Sequence, residues 1–320
     1  MTFGDIVGHD VVVKRLRRAL AAGRLPNTYL FAGPPGIGKA ATAHAFAAAL
    51  LCDGTGDDAC GTCPGCLGTA RESHPDLVVV RVLEGAAEIK IDQARELQRR
   101  LRLRPIRARR KVALLDDADR LNLAAQHAML KTFEEPPGAA VLILIASNVA
   151  ALLPTVISRC QRIDFAPLDD GAVERLLIER CGVEPGEARE MARVGNGSVG
   201  EARLFRSELA ERARTELLPL LDGLARRPYG ELAGLAQDWG RLPLVDLLVL
   251  LRAPLAWYRR RLAEVMAPGG TDDHRVVLSQ LRTVYDTMER LRRNAHRQLT
   301  LDAMLLELRQ AARASMSRTG

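Results

Sequence analysis

The alternation of apolar and polar positions changes character near Pro167. Before it, short apolar runs alternate with stretches of helical spacing. Thr28–Ala32 reads as a buried strand and runs through a Gly/Pro-rich loop into an Ala-rich helix from Ala40 to about Leu51. Asp76–Val82 is a second strand, apolar on both faces as in a parallel sheet. Ile91–Leu103 has helical spacing, Lys111–Leu115 is a third strand, and Ala125–Phe133 is a helix. Ala140–Ala146 is a fourth strand and Ile163–Phe165 a candidate fifth. This alternation predicts an α/β domain, a doubly wound parallel sheet with helices on both faces. After Pro167 the strands stop. Asp169–Cys181 and Pro185–Val194 read as helices, Gly195-Asn196-Gly197-Ser198 breaks the run, and Val199–Phe205 opens another. The remainder reads as helix punctuated by Pro219, Pro228, Pro243, Pro254 and Pro268-Gly269-Gly270. Boundaries near 166 and 206 divide the chain into segments 1–166, 167–206 and 207–320. Leu301, Leu305 and Leu308 fall at helical spacing and predict buried packing, with Trp257 and Tyr258 as core residues rather than ligand groups.

Bulk properties add limits. A chain of 320 residues exceeds one compact core and fits two or three domains. Aromatics are 4% of the chain, so the core must rest on Leu, Ala, Val and Ile. No apolar run approaches the roughly 20 residues of a membrane span. The opening Met1-Thr2-Phe3-Gly4-Asp5 lacks a signal-peptide pattern, so a cytoplasmic protein without membrane contact is the expectation. The net charge of +7 permits contact with nucleic acid or an acidic partner. Arg dominates, with Lys only at 14, 39, 90, 111 and 131; GC-rich coding would produce the same excess.

The segment Gly33-Pro34-Pro35-Gly36-Ile37-Gly38-Lys39 follows a strand and opens a helix, the context of a phosphate-binding P-loop. Backbone N–H groups at Gly33, Gly36 and Gly38 can curl around phosphate, the helix start favours the negative charge, and Lys39 would neutralise the terminal phosphates. Read blandly, it is a Gly-Pro turn before a helix. Ala40 stands where a Ser or Thr hydroxyl would hold Mg²⁺. Val112–Leu115 delivers Asp116 and Asp117 to the same sheet edge: Asp116 is placed to organise Mg²⁺, and Asp117 stands where a Glu would polarise water. Asp117 is one methylene short, and catalytic geometry is sensitive at about the 1 Å scale. The alternative is a solvated turn of acids. Ser147-Asn148 ends the fourth strand, where it can sense a γ-phosphate or simply form a turn.

Cys52, Cys60, Cys63 and Cys66 form a third set, with two overlapping C-x-x-C steps. Clustered cysteines without an export signal argue for metal rather than disulfides. Four thiolates satisfy a closed, structural Zn²⁺ site; an iron–sulfur cluster also takes four, and unpaired thiols are the third reading. His74 is surplus, a turn residue before Pro75. Arg159, in Ser158-Arg159-Cys160, is exposed beyond the fourth strand and alone reads as surface charge.

These motifs, with Ala128–Pro137 (Ala-Met-Leu-Lys-Thr-Phe-Glu-Glu-Pro-Pro) and the opening Gly4–His9, occur in an order that resembles the bacterial clamp-loader AAA+ family over nearly the whole chain, and within it the delta prime branch. The resemblance implies an AAA+ domain with a zinc module at about 52–66, a helical lid and a helical collar. It implies membership of a hetero-pentameric ring with gamma/tau and delta subunits that loads a sliding clamp onto primed DNA in the replisome. It gives Arg159 the role of an arginine finger acting on a neighbour's ATP. It makes this chain a stator that holds ATP/Mg²⁺, if at all, without efficient turnover. The gamma/tau motor shares the cysteines and the Ser-Arg-Cys triplet. Ala40, Asp117, and Gly200 where the motor's lid carries an Arg, separate the chain from it. The rivals are a motor of the gamma type and a zinc-dependent DNA-binding adaptor. The basic stretch from Arg99 to Lys111 either lines the loader's central chamber or is a solvated helix face and loop.

Overall fold

The structure, a computed structural model, describes residues 1–204, 213–267, 274–292 and 295–316. The chain groups into two compact units, Met1–Glu201 and Ala202–Gly320. The expected boundary at 206 and the Pro268-Gly269-Gly270 break lie outside the described residues.

The first unit is built on five parallel strands: β1 (Thr28–Ala32), β2 (Leu77–Val80), β3 (Val112–Leu115), β4 (Val141–Ala146) and β5 (Gln161–Asp164). Their order is β2-β3-β4-β1-β5. Strand β4 therefore lies between the P-loop strand and the strand that ends in acids, with Leu30 opposite Leu144 and Leu115 opposite the same residue. Strands β1, β3 and β4 are buried at every position, because helices cover both faces. On one face Tyr29, Phe31, Leu114 and Ile143 pack on α2 (Lys39–Leu51) through Phe46 and Ala43; on the other Leu30, Ala113, Leu115 and Leu144 pack on α4 (Ile91–Arg102) and α5 (Leu123–Glu134) through Leu97, Met129 and Phe133. This is the α/β P-loop fold of the AAA+ type. Only Ile163 of edge strand β5 faces inward, and its Arg162–Asp164 ion pair lies outside. That charged outer row suits an edge and explains why an apolar-run criterion displaced the strand toward Phe165.

Two further differences have physical causes. Helix α1 (Asp10–Ala21) was not predicted: it buries only Val12 and Leu16 and is otherwise mostly polar. Strand β2 begins at Leu77, because Asp76 ends the preceding turn instead of entering the sheet. Its carboxylate is fully buried and accepts from the backbone N–H groups of Ile106, Arg107 and Ala108 at 2.7–2.8 Å. Lys111, also buried, lies 3.5 Å away. Burial alone would push this carboxyl up; the three N–H bonds and Lys111 outweigh it and hold its pKa below the usual value.

Helix α6 (Pro154–Ile157) precedes β5, and after it come α7 (Asp170–Cys181), α8 (Pro185–Val194) and α9 (Val199–Leu204). Helix α7 is capped by the Asp169 carboxylate and stops at left-handed Gly182. The knuckle between cysteines contains another helix, α3 (Pro64–Ala70). The second unit is helical throughout its described residues: α10 (Leu218–Asp222), α11 (Tyr229–Gly240), α12 (Leu244–Leu250), α13 (Arg252–Met266), α14 (His274–Arg292) and α15 (Arg297–Met316). Leu301, Leu305 and Leu308 are buried there with Trp239, Leu251 and Tyr258, as the helical spacing predicts. Among the described residues, no helix is long and apolar enough to cross a membrane.

Removing the Asp76 charge strands a buried ammonium and three N–H groups. Asp76→Ala should cost about 3–5 kcal/mol of unfolding free energy in urea titrations, the scale for breaking a buried pair. Because the folded pKa is depressed, the carboxylate's contribution is complete above its unfolded value of about 3.9 and is lost as pH falls through the folded one. The wild-type stability should therefore decline as pH falls below about 4, and Asp76→Asn should flatten that decline.

Candidate nucleotide-binding and interface site

The sheet brings the ends of β1, β3 and β4 together at one edge. Residues 33–38 bend from β1 into α2, with Gly38 left-handed at the helix start. Lys39, the first residue of α2, is only 4% exposed. Its ammonium donates to the carbonyls of Gly33 at 2.7 Å and Pro34 at 2.6 Å and to the Ser147 hydroxyl at 3.1 Å. An ammonium has three protons, and the chain's own loop and β4 take all three. Burial lowers the Lys39 pKa, while Asp119, Asp117 and Asp116 raise it. Ser147 thus touches the P-loop lysine directly. Asn148 does not: its N–H donates to the Asp119 carboxylate at 2.9 Å, tying the end of β4 to the turn after β3.

Asp116 and Asp117 stand at the end of β3 as predicted. Asp117 adopts a left-handed backbone, φ 53°, and its N–H donates to the Asp116 carboxylate at 3.2 Å. Partial desolvation, then repulsion from Asp116 and Asp119, pushes the Asp117 carboxyl up; Arg120 and Lys39 pull it back. Ala40, in the first turn of α2, is half-buried and brings only a methyl to the place where a hydroxyl would face Mg²⁺.

The start of α9 rests on the P-loop. The N–H of Gly200 donates to the Gly36 carbonyl at 3.3 Å. A Cβ on Gly36 would meet the Ser198 hydroxyl at 2.3 Å and the Gly200 Cα at 3.0 Å, and one on Gly200 would lie 3.1 Å from the Gly36 Cα. Gly36 also has φ +72°, so it must be glycine on two counts. On the other flank the His9 ring donates from Nε2 to the Ile37 carbonyl at 2.6 Å and meets Phe165 edge-on. Neither contact was legible in the motif pattern, although His9 and Gly200 both belong to segments that the pattern singled out.

Arg159 follows α6 at a distance from this cluster in the chain. Its side chain is 34% exposed; Nε donates to the Glu134 carboxylate at 2.7 Å and Nη1 to the Thr155 carbonyl at 3.1 Å. Glu134 ends α5 within the Glu-Glu-Pro-Pro run, so two sequence motifs meet in one ion pair. Cys160, next to it, is half-buried, and burial pushes its thiol up to about 12.

The four cysteines converge. Cys52 ends α2, Cys60 lies in the loop, Cys63 caps α3 and Cys66 is inside it. Their sulfurs all lie within 4.8 Å of one another, with Cys52–Cys63 at 3.8 Å and Cys60–Cys66 at 3.9 Å. Four sulfurs about 2.3 Å from one tetrahedral metal would be separated by roughly 3.8 Å, so the set can hold an ion. Backbone N–H groups of Cys63, Cys66, Gly54 and Cys60 point at the sulfurs from 3.3–3.5 Å, which favours thiolates. Those of Thr62 and Cys63 hold the Cys60 thiol down at about 6, whereas burial pushes Cys66 up. His74 is not among them: its Nδ1 accepts from the Asp76 N–H at 3.1 Å, as a turn residue.

Gly36→Ala should lose more than about 1 kcal/mol of stability, from backbone strain and from displacing Ser198, read as a lower urea midpoint. Gly138→Ala, also at positive φ but with nothing within 4 Å, provides the strain-only comparison.

Comparison with known proteins supplies the family. Residues 8–169 match the family model described as DNA polymerase III, delta subunit. The delta' subunit of Pseudomonas aeruginosa is 34% identical over 221 residues, covering 68% of this chain and 67% of that protein. The tau subunit of Bacillus subtilis is 31% identical over 206 residues, covering 62% of this chain but only 36% of tau. A solved Thermotoga maritima structure, described as a DNA polymerase III gamma subunit-related protein, aligns over 93% of this chain and 99% of its own at 18% identity and a TM-score of 0.49. On the matched half of its length, and on a delta' relative covered to two thirds, the chain belongs to the DNA polymerase III delta-subunit family of clamp-loader proteins.

Proposed function

We propose that this chain is a delta-prime-type stator of the clamp loader, which presents Arg159 to the ATP of a neighbouring subunit while its own nucleotide site turns over little or nothing. The observation that carries the reading is an asymmetry between the two ends of the first unit. At its own P-loop the Mg²⁺ hydroxyl is absent at Ala40, the base is shortened at Asp117, and the lid offers Gly200 in place of an Arg. Arg159, by contrast, is held by a half-exposed pair with Glu134 and one bond to the Thr155 carbonyl. Such pairs contribute about 0–1 kcal/mol. Charge-assisted guanidinium–phosphate bonds are stronger, so releasing Glu134 for a γ-phosphate is inexpensive.

In this reading residues 1–166 form a nucleotide-binding domain, 167–206 a lid, and 207–320 the collar that joins gamma/tau and delta subunits in a hetero-pentameric ring. The ring places a sliding clamp on primed DNA, in the cytoplasm at the replisome. Cys52, Cys60, Cys63 and Cys66 hold one structural Zn²⁺ that pins the end of α2 to the knuckle, with no open position for catalysis. One observation favours a second reading, a gamma-type motor: Gly33, Gly38 and Lys39 are retained, and tau relatives match the same region.

Steady-state ATP turnover by a reconstituted loader separates the two. A finger is worth about 10³–10⁵ in rate at the site it serves. Arg159→Ala in this chain should slow clamp- and DNA-stimulated turnover, and Lys39→Met should leave it standing. Turnover abolished by Lys39→Met and untouched by Arg159→Ala would make the chain a motor. For the metal, elemental analysis of the purified chain should give one zinc and no iron, and Cys63→Ser should lose it together with a lower melting temperature.

A further inference from the structure

Residues 1–21 are anchored by few side chains of their own. Phe3, His9, Val12 and Leu16 are buried, and the rest of this N-terminal arm is half-buried or exposed. So small an apolar contact weighs little against the conformational entropy of an ordered segment of this length, and polar ties decide whether the arm stays docked. The arm nevertheless reaches both the P-loop and α7. His9 bonds to the Ile37 carbonyl at 2.6 Å. Arg180 of α7 donates to the Asp5 carbonyl at 3.4 Å, with the Asp5 carboxylate 3.7 Å away.

The ties run to the cysteine knuckle. Asp58 lies in the loop between Cys52 and Cys60. One of its carboxylate oxygens accepts from the Phe3 N–H at 2.9 Å and the Ala59 N–H at 2.7 Å; the other accepts from the Arg17 guanidinium at 2.6 Å. Phe3 in turn stacks on Phe46 of α2, with ring centroids 6.3 Å apart, and Arg17 lies over the Phe3 ring at 5.8 Å. The arm meets the knuckle a second time at Gly61, where a Cβ would lie 3.5 Å from the Thr2 Cγ2. A single carboxylate therefore joins the start of the arm and α1 to a loop with no helix or strand of its own between Cys52 and Pro64. Ala59 is buried there against Ala48 and Cys66, while residues 53–57 are exposed. The course of this loop is set by where its cysteines are held.

We infer that metal held by the cysteine knuckle controls whether the N-terminal arm is docked, with Asp58 as the latch between them. A ligand shifts a conformational equilibrium only as far as it favours one state over the other. Metal favours the state in which the four sulfurs are gathered, because binding and local folding are one event in such a site. Gathering Cys52 and Cys60 closes the loop that carries Asp58 and presents its carboxylate to Phe3 and Arg17. Loss of the ion reopens the loop, parts Asp58 from both, and frees His9 from the P-loop and Asp5 from α7. The inference rests on reading the four cysteines as a metal site; it is independent of Arg159 and of the stator reading.

The test is hydrogen–deuterium exchange of the full chain, zinc-loaded and after chelation with the thiols kept reduced. Stripping should speed exchange of the α1 amides at least about tenfold and leave β4 unchanged. Asp58→Ala, its zinc content checked by elemental analysis, should reproduce the rise in α1 while residues 64–70 stay protected. Asp57→Ala, at the exposed neighbouring position, should exchange as wild type. A chain that takes up no zinc overturns the metal reading and this inference together. Zinc bound, but α1 equally protected with and without it, overturns the inference alone. So does an Asp58→Ala variant that loses its zinc or keeps wild-type protection in α1. A rise after stripping that extends to β4 also overturns it, making the ion a support of the whole unit instead of a control on the arm.

Discussion

A buried ammonium must be satisfied or it destabilises its surroundings, and the organisation of the first unit follows from how Lys39 meets that demand. Two of its protons go to the loop that nucleotide would occupy and the third to the end of β4. Asn148 and Asp119 then fix β4 to the turn after β3. The P-loop, β4 and the turn after β3 are thereby joined in one hydrogen-bonded unit. Its remaining polar edge is used as well, Ile37 by His9 and Gly36 by Gly200.

Much of this was legible in the amino-acid sequence, for reasons that differ by residue. The parallel strands were readable because β1, β3 and β4 are buried on both faces and so are uninterrupted apolar runs. The cysteine cluster was readable because the short spacing of Cys60, Cys63 and Cys66 leaves little choice of geometry. Helix α1 escaped because its core-facing stripe is two residues wide in a background of Arg and Lys. Asp76 reads as the first residue of a strand because an apolar run follows it; that it gathers three N–H groups from a loop thirty residues later is a tertiary fact with no local signature. The same holds for the meeting of Arg159 with Glu134, where each residue lies in a recognised motif but only the fold makes them neighbours.

The P-loop and the arginine-rich loop lie at opposite edges of one sheet, and the strand register connects them. The P-loop, the acids and Ser147 occupy the ends of β1, β3 and β4. The arginine loop, Asp76 and Lys111 occupy the beginnings of β2 and β3. Helix α2 runs from Lys39 to Leu51 and hands over to Cys52, so the cysteine module is carried by the same helix that starts at the P-loop. Through Asp53 it also braces the arginine loop. The cysteine cluster is thus tied to one edge through α2 and to the other through Asp53.

The backbone contact between Gly36 and Gly200 bears on how such a chain diverges. Restoring a hydroxyl at position 40 or a longer carboxylate at 117 would each leave the lid resting on the loop. An arginine at 200 would place its Cβ 3.1 Å from the Gly36 Cα, so the two backbones would have to part by a few tenths of an ångström. The glycine pair therefore sets how near α9 can lie to the loop, and a side chain at either position trades that approach for its own volume.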